Sequence, residues 1–440
     1  MSRMRVEEVA ESVVLAFLAI KRHVEAEISL KAGLYQVAKS RNPKTNILRL
    51  ARRLLHVYAI GENRVDLMLN RLLMGEEVSE DSKILLKLLI SGISAKLNLG
   101  DPEELVMALR RVFKKLWPSD IEPWIGVVRA INRGAVEIPV VENYPPWFIG
   151  FLSKILGREE AHELMRFQDE VKPVMYAAVN SLKLREQEIL KELEKSGIEL
   201  DPDPRLPGIY VVKSVEETNR LIKFIKSGLI LIQDFSSYYA VYSAELRPEM
   251  NVLDVCAAPG SKTMLMGIQM RNRGLIISVD SSPERIKTHL MRVRKAGLEI
   301  VEDIAADATI PLPFSFKADV VLLDPPCSST GLFWRETAYR WLIKPRHVKM
   351  FAKLQARMLE NSARHVRENG CLIYSTCSIS LEENEILMED FLKRHSEFKL
   401  IEIDPALGSG GLRGFSEARR LYPHRDLCNG FFIAKLLRRW

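Results

Sequence analysis

Cysteine is scarce in this 440-residue chain: there are five, all beyond residue 255, and no two stand in a CxxC pair. An odd number without paired spacing makes a poor disulfide framework and offers no start for a metal site, so a reducing, cytoplasmic setting is expected. Long apolar runs are missing as well. Near the start the longest is Val13 to Ile20, too short to cross a bilayer, and it follows Glu7, Glu8 and Glu11 where a secretory signal would carry basic residues. No secretion or membrane anchoring is expected. There is no internal repeat and no low-complexity tract. With 47% hydrophobic residues the chain can bury several cores, which suggests two or three domains.

Acidic residues are absent from 28 to 61, where Lys31, Lys39, Arg41, Lys44, Arg49, Arg52 and Arg53 accumulate. A local excess of this kind attracts phosphates, although a charge run taken alone also reads as a solvated face. Around it, from Val6 to about Leu116, apolar residues recur at three and four, as in Val6, Val9, Val13, Phe17 and Ile20. That spacing predicts an all-α bundle with no strand, its helices separated by "RNPKTN", "GEEVSED" and "NLGDPEE", with Ser79 and Asp101 as N-caps. The prolines of "EIPVVENYPPW" place a domain boundary near residue 140.

Residues 141–235 read as a small α+β unit, with "VMYAAVNSL", "GIYVV" and "LILIQD" as strands and Gly197 and Gly228 closing two helices. From residue 236 strands and helices alternate: "NVLDVCA", "LIISVD", "ADVVLLD" and "GCLIYSTCS" are apolar runs, as expected of a parallel sheet covered by helices on both faces. The expected fold class is therefore multi-domain: an all-α bundle (1–140), a small α+β domain (141–235) and an α/β Rossmann-like domain (236–440).

In such a sheet, ligands sit beyond the carboxyl ends of the strands. The stretch "DVCAAPGSKT" at the first strand end has neither GxxxxGK[ST] nor GxGxxG, which argues against a triphosphate or a dinucleotide. Asp280, closing the next strand, is placed to accept hydrogen bonds from ribose hydroxyls; Arg285 follows one helical turn on, and Asp307 in "AADAT" would stand near an adenine amino group. Singly each acid reads as a cap or loop residue. Together they ask for adenosine without phosphates, which fits S-adenosyl-L-methionine; adenosine itself stays open.

The fourth strand runs into "LLDPPCSSTG". Methyltransferases acting on amino groups follow [DN]PP with an aromatic that stacks on the base, and Cys327 cannot stack. A thiol fits a carbon target: addition to carbon 6 of cytosine makes carbon 5 nucleophilic enough to take a methyl group, after which the thiolate must leave. A second cysteine, Cys377 in "YSTCSISLEENE", offers one group for attack and one for release, and Asp324 could bind nitrogen 3 and the exocyclic amine. Both cysteines could equally be small buried core residues, the reading given to Cys256, Cys371 and Cys428.

These motifs resemble the Nol/Nop/Sun family of RNA cytosine carbon-5 methyltransferases over about the last 205 residues. The resemblance implies that Cys377 is the nucleophile and Cys327 the release residue. It also implies that Cys256, Ala257, Ala258, Pro259, Gly260, Ser261, Lys262, Asp280, Arg285, Asp307 and Asp324 line the S-adenosyl-L-methionine site, with no metal. "AAVNSLK" is similar to the family's preceding element, except that Ala178 stands where an arginine is often found. The bundle is similar to the NusB-like RNA-binding domain of the bacterial Sun or Fmu enzymes, which implies an RNA partner, ribosomal RNA first and transfer RNA second, and a monomer. A DNA cytosine methyltransferase and a non-catalytic RNA-binding or ribosome-assembly factor are the competing readings; the first is disfavoured because DNA enzymes use the Pro-Cys cysteine as nucleophile and have no Thr-Cys partner.

Overall fold

A computed structural model of the chain describes residues 4–26, 28, 30–73, 78–95, 97, 99–113, 117, 118, 120, 121, 125–132, 143–337 and 339–440. The chain divides into two compact units: Met1–Leu152 with Glu336–Leu342, and Ser153–Arg335 with Ile343–Trp440. The boundary expected near residue 140 lies outside the described residues.

In the first unit the helices are Val6–Ala26, Leu30–Arg41, Thr45–Leu73, Glu80–Ser94, Pro102–Phe113, Ile125–Asn132 and the short Tyr339–Leu342, and no strand occurs among the described residues. The three-and-four spacing acts as expected. Val13, Phe17, Leu54, Leu85, Leu89 and Leu109 converge in one core, and each such side chain withdrawn from water contributes roughly 1.5–3 kcal/mol. Both caps form: Ser79 Oγ accepts from Ser82 N at 3.2 Å, and Asp101 Oδ1 accepts from Glu103 N at 2.8 Å. Capping satisfies amides that have no partner within the first turn.

In the second unit a four-stranded antiparallel sheet is built from β1 (Tyr176–Val179), β2 (Ile198–Pro202), β3 (Ile209–Val215) and β4 (Ile230–Ile232), in the order β2-β3-β1-β4. Helices Glu186–Lys195 and Thr218–Ser227 cover it through Ile189, Leu193 and Leu221. Ala178 is buried inside β1. Asn180, just beyond, donates through Nδ2 to Gly228 O (2.8 Å) and Ala296 O (2.7 Å), a lock between this sheet and the next.

The second sheet has nine strands: β5 (Asn251–Val255), β6 (Leu275–Asp280), β7 (Val301–Ala305), β8 (Ala318–Leu323), β9 (Val366–Thr376), β10 (Phe398–Ile401), β11 (Ser409–Gly410), β12 (Arg419–Leu421) and β13 (Phe431–Arg438). The order is β11-β12-β13-β9-β8-β5-β6-β7, with β10 on β13. Strands β5 to β9 are parallel as expected, but the sheet is mixed: β13 pairs antiparallel with β9, β10 and β12. No strand was expected beyond residue 380. There β11 and β12 are too short to show a period, and pairing with β13 makes them strands. Strand order reverses at β5, which lies between β6 and β8, and such a switch point opens a crevice at the carboxyl ends.

Candidate active site

Register aligns the strand ends. Val255 pairs with Val279 and with Leu323, and Leu323 with Tyr374, so Cys256, Asp280, Asp324 and Ser375 emerge in one row. A cavity of about 360 Å³ opens above them, lined among others by Cys256, Ala258, Asp280, Arg285, Asp324, Cys327, Met358 and Cys377.

At one end of the cavity Asp280 is almost wholly buried. Its Oδ2 accepts from Ala258 N at 3.2 Å and lies 3.3 Å from Arg285 Nη1, while Oδ1 accepts from Ser282 N at 3.1 Å. A carboxylate offers about four acceptor positions, so one remains for a hydroxyl in the cavity. Arg285 also donates to Ala258 O. The loop 256–262 is thereby fixed by the acid and base that follow β6. Gly260 holds φ +100°, and a Cβ there would come 2.9 Å from His289 Cδ2, so no side chain fits between loop and helix.

Beneath the loop runs a buried chain: Thr263 Oγ1 donates to Asp254 Oδ2 (2.6 Å) and meets His289 Nε2 (2.8 Å), and His289 Nδ1 lies 2.7 Å from Asp303. Burial pushes the Asp254 carboxyl up to about 7 and the His289 imidazole down to about 4. Taking a charge out of water favours the neutral form of each.

Two residues expected at the cofactor make contacts of their own. Asp307 is not on the cavity wall, although Ala306 and Ala308 are; its Oδ1 accepts from Thr309 N at 2.8 Å and closes a turn. Lys262 reaches away from the loop to Asp324, with Nζ 2.6 Å from Oδ2. Burial opposes its charge, but Asp324 more than offsets this and the pKa is raised. Ala257, Pro259, Gly260 and Ser261 shape the loop from behind its cavity face, and within it Gly260 N donates to Ala257 O at 2.8 Å.

At the other end Asp324 also accepts from Ser375 Oγ at 2.8 Å. The thiols of Cys327 and Cys377 are 3.0 Å apart. The hydrogen bond with Cys377, then burial, holds the Cys327 thiol well above the usual range, so it stays protonated beside its neighbour. The two loops touch through backbone: Gly331 N donates to Cys377 O at 2.9 Å, and a Cβ on Gly331 would fall 1.9 Å from Gly430 O. Cys371 lies in β9 and Cys428 is buried, so neither joins the thiol pair. Cys256 does line the cavity, with Sγ 4.0 Å from Met358 Sδ.

One participant escaped the sequence reading. Glu383, inside the quoted "YSTCSISLEENE", is fully buried and accepts from Ser328 and Ser378, the residues that follow the two cysteines. Its signal was a doublet of acids three residues after Ser380, which reads as the start of a surface helix.

In the helical unit Arg49, Arg52 and Arg53 are exposed at helical spacing on Thr45–Leu73. Lys31 and Lys44 are drawn into ion pairs with Glu336 (3.5 Å) and Glu8 (3.6 Å). Among the described residues no helix is long and apolar enough to cross a membrane, and no cluster of His, Cys, Asp and Glu could hold a metal ion.

An adenosine-sized cavity at the switch point, an acid closing β6 and no phosphate-binding loop define a Rossmann-like S-adenosyl-L-methionine-dependent methyltransferase. Residues 241–437 match the family described as 16S rRNA methyltransferase RsmB/F, and over that stretch the chain is similar to it. It is 29% identical over 328 residues to ribosomal RNA small subunit methyltransferase B of Photorhabdus laumondii, covering 71% of this chain and 72% of that one. To the human 28S rRNA (cytosine(4447)-C(5))-methyltransferase it is 28% identical over 322 residues, which span 69% of this chain but only 39% of the human protein. The crystal structure of PH0851 superposes with a TM-score of 0.79 at 24% identity, over 99% of each chain, and shows the same fold.

Proposed function

We propose that this methyltransferase forms 5-methylcytosine in RNA, ribosomal RNA being the substrate class, through a covalent bond between Cys377 and carbon 6 of the cytosine. The observation that carries the reading is the pair of thiols 3.0 Å apart at the end of the cavity that holds Asp324.

The residues at the adenosine end fit S-adenosyl-L-methionine: Asp280 has acceptor capacity for the ribose, and Arg285 and the 256–262 loop hold the wall. When bound, the cofactor supplies an electrophilic methyl group on sulfur. Cys377 adds as thiolate to carbon 6, and the charge moves toward nitrogen 3 and oxygen 2 of the ring. Asp324, anchored by Lys262 and Ser375, accepts from the exocyclic amine and so orients the base. Carbon 5 then takes the methyl group. Cys327 serves the last step as a relay: its thiol gives its proton to the Cys377 sulfur as the bond from carbon 6 breaks and takes the carbon 5 proton in its place, and the ring double bond returns.

The exposed Arg49, Arg52 and Arg53 are proposed to hold RNA phosphates, which positions the substrate without touching the reacting base. Incubation with labelled cofactor and separated ribosomal and transfer RNA, followed by mapping of modified cytosines, tests the reading. Label in ribosomal RNA at a cytosine is expected. Label confined to transfer RNA would reassign the substrate, and label in neither would leave an RNA-binding protein.

A further inference from the structure

We infer that Glu383 is a positioning residue for both thiols: its carboxylate fastens the loop that carries Cys327 to the loop that carries Cys377. The inference rests on the thiol chemistry proposed above. Oε1 accepts from Ser328 N (2.8 Å) and Gln355 Nε2 (2.9 Å); Oε2 accepts from the hydroxyls of Ser328 (2.5 Å), Ser378 (2.6 Å) and Ser380 (2.9 Å). Three of the four donor residues bear on a cysteine. Ser328 follows Cys327, Ser378 follows Cys377, and the Gln355 amide that reaches Glu383 also holds Pro326 O at 2.9 Å, on the other side of Cys327. The backbone of Glu383 is held in turn, because Tyr374 OH donates to its carbonyl at 2.7 Å.

The contrast with Glu385, two residues on, separates this from packing. Glu385 is equally buried, but its carboxylate is paired with the Arg420 guanidinium, Nε to Oε1 at 2.6 Å and Nη2 to Oε2 at 2.5 Å. Among the described residues no Lys, Arg or His pairs with Glu383. Its charge is sustained by hydrogen bonds alone, an arrangement costly to leave incomplete and needless where an apolar side chain could fill the space. That charge acts on the nearer thiol. Cys327 faces Cys377, Glu383, Asp324 with its Lys262 partner, and Tyr374, and the negative charge of Glu383 adds to the thiol bond and burial that keep it protonated.

Glu383→Gln keeps the size but puts donors where donors already point. Single-turnover methyl transfer to RNA should fall about 100-fold, the scale of a small misplacement of reacting groups. Affinity for S-adenosyl-L-methionine, measured by calorimetry, should stay within about twofold of the parent. The pH profile of release, read as decay of the protein–RNA adduct, should move to lower pH, since Cys327 loses a negative neighbour. Glu383→Asp should return the profile to its original position while leaving a rate deficit, because it restores the charge on a shorter arm. Wild-type rate and an unmoved profile in Glu383→Gln overturn the proposal. Should that variant fail to bind cofactor, the double change Ser328→Ala with Ser378→Ala decides: loss of two donors with the charge kept should slow transfer about 10-fold with no shift in profile, and an unchanged rate overturns the proposal. Wild-type protein that forms no 5-methylcytosine in any RNA would instead remove the function on which the inference stands.

Discussion

The two ends of the cavity are held in different ways. At one end Asp280, Ser282 and Arg285 follow one another along the chain and close on Ala258, 22 residues before Asp280, at the end of the neighbouring strand. The thiol end joins segments far apart: Ser328 and Glu383 are 55 residues distant, Cys327 and Cys377 are 50. A site closed between two strands paired in register leans on that pairing. One made by bringing two loops together depends on whatever fastens them.

The largest effect should come from the thiol end and should leave the other end intact. Cys377→Ala is expected to lose methyl transfer by at least about 10⁴-fold, as when a covalent nucleophile is removed, while binding cofactor as before by calorimetry. Cys327→Ala should still attack and transfer, then stall, so that a protein–RNA adduct survives denaturing electrophoresis. The double variant should show none. An adduct in Cys377→Ala that vanishes in Cys327→Ala would reverse the two roles; normal turnover in both would make the cysteines core residues.

The complementary change is Asp280→Ala. Loss of an acceptor facing ribose hydroxyls should weaken cofactor binding by about 1–3 kcal/mol, roughly 5- to 150-fold, and mass spectrometry should find Cys377 alkylated by a small electrophile at the parent rate. Unchanged cofactor affinity would put the ribose elsewhere. Smaller again, neutralising Arg49, Arg52 and Arg53 together should reduce RNA affinity about 10-fold at low salt and flatten its salt dependence, with chemistry at saturating RNA untouched. Filter binding across a salt series checks it, and an intact slope would leave these arginines a solvated face.

The least effect concerns the buried chain under the loop. Asp254 titrates at about 7 in the folded chain, because burial favours its neutral form, and near 3.8 when unfolded. The folded state therefore binds a proton that the unfolded state has released. Stability from this group is complete below about pH 3.8 and is lost as pH rises through about 7. Asp254→Asn removes that dependence. Relative to the parent it should gain on the order of 1 kcal/mol between pH 5 and pH 6, about 2 °C in Tm. Thermal melts at the two pH values that show equal differences would mean Asp254 is ionised throughout.

Much of this was legible before any fold was seen. The bundle could be read from Val13, Phe17 and their successors because a helix buries one face at a fixed period, and the parallel strands from apolar runs because both of their faces are covered. Register then set Asp280 and Asp324 in one row, since motifs that end adjacent parallel strands meet wherever the strands pair. The strands β10 to β12 were not legible, because such short strands owe their conformation to a partner and carry little pattern of their own.

By itself the sequence determined which chemistry is on offer: two cysteines at strand ends, an acid in Asp-Pro-Pro, and a glycine-bearing loop with no phosphate-binding spacing. Tertiary structure alone decided where Lys262 and Asp307 go, one to Asp324 and the other to a turn. It also decided that Glu383 lies between the thiol loops and not on a helix surface. The reason is physical: composition and period report how a residue partitions between water and core, but a buried charge is placed by the donors that surround it, and here those donors come from segments that only the folded chain brings together.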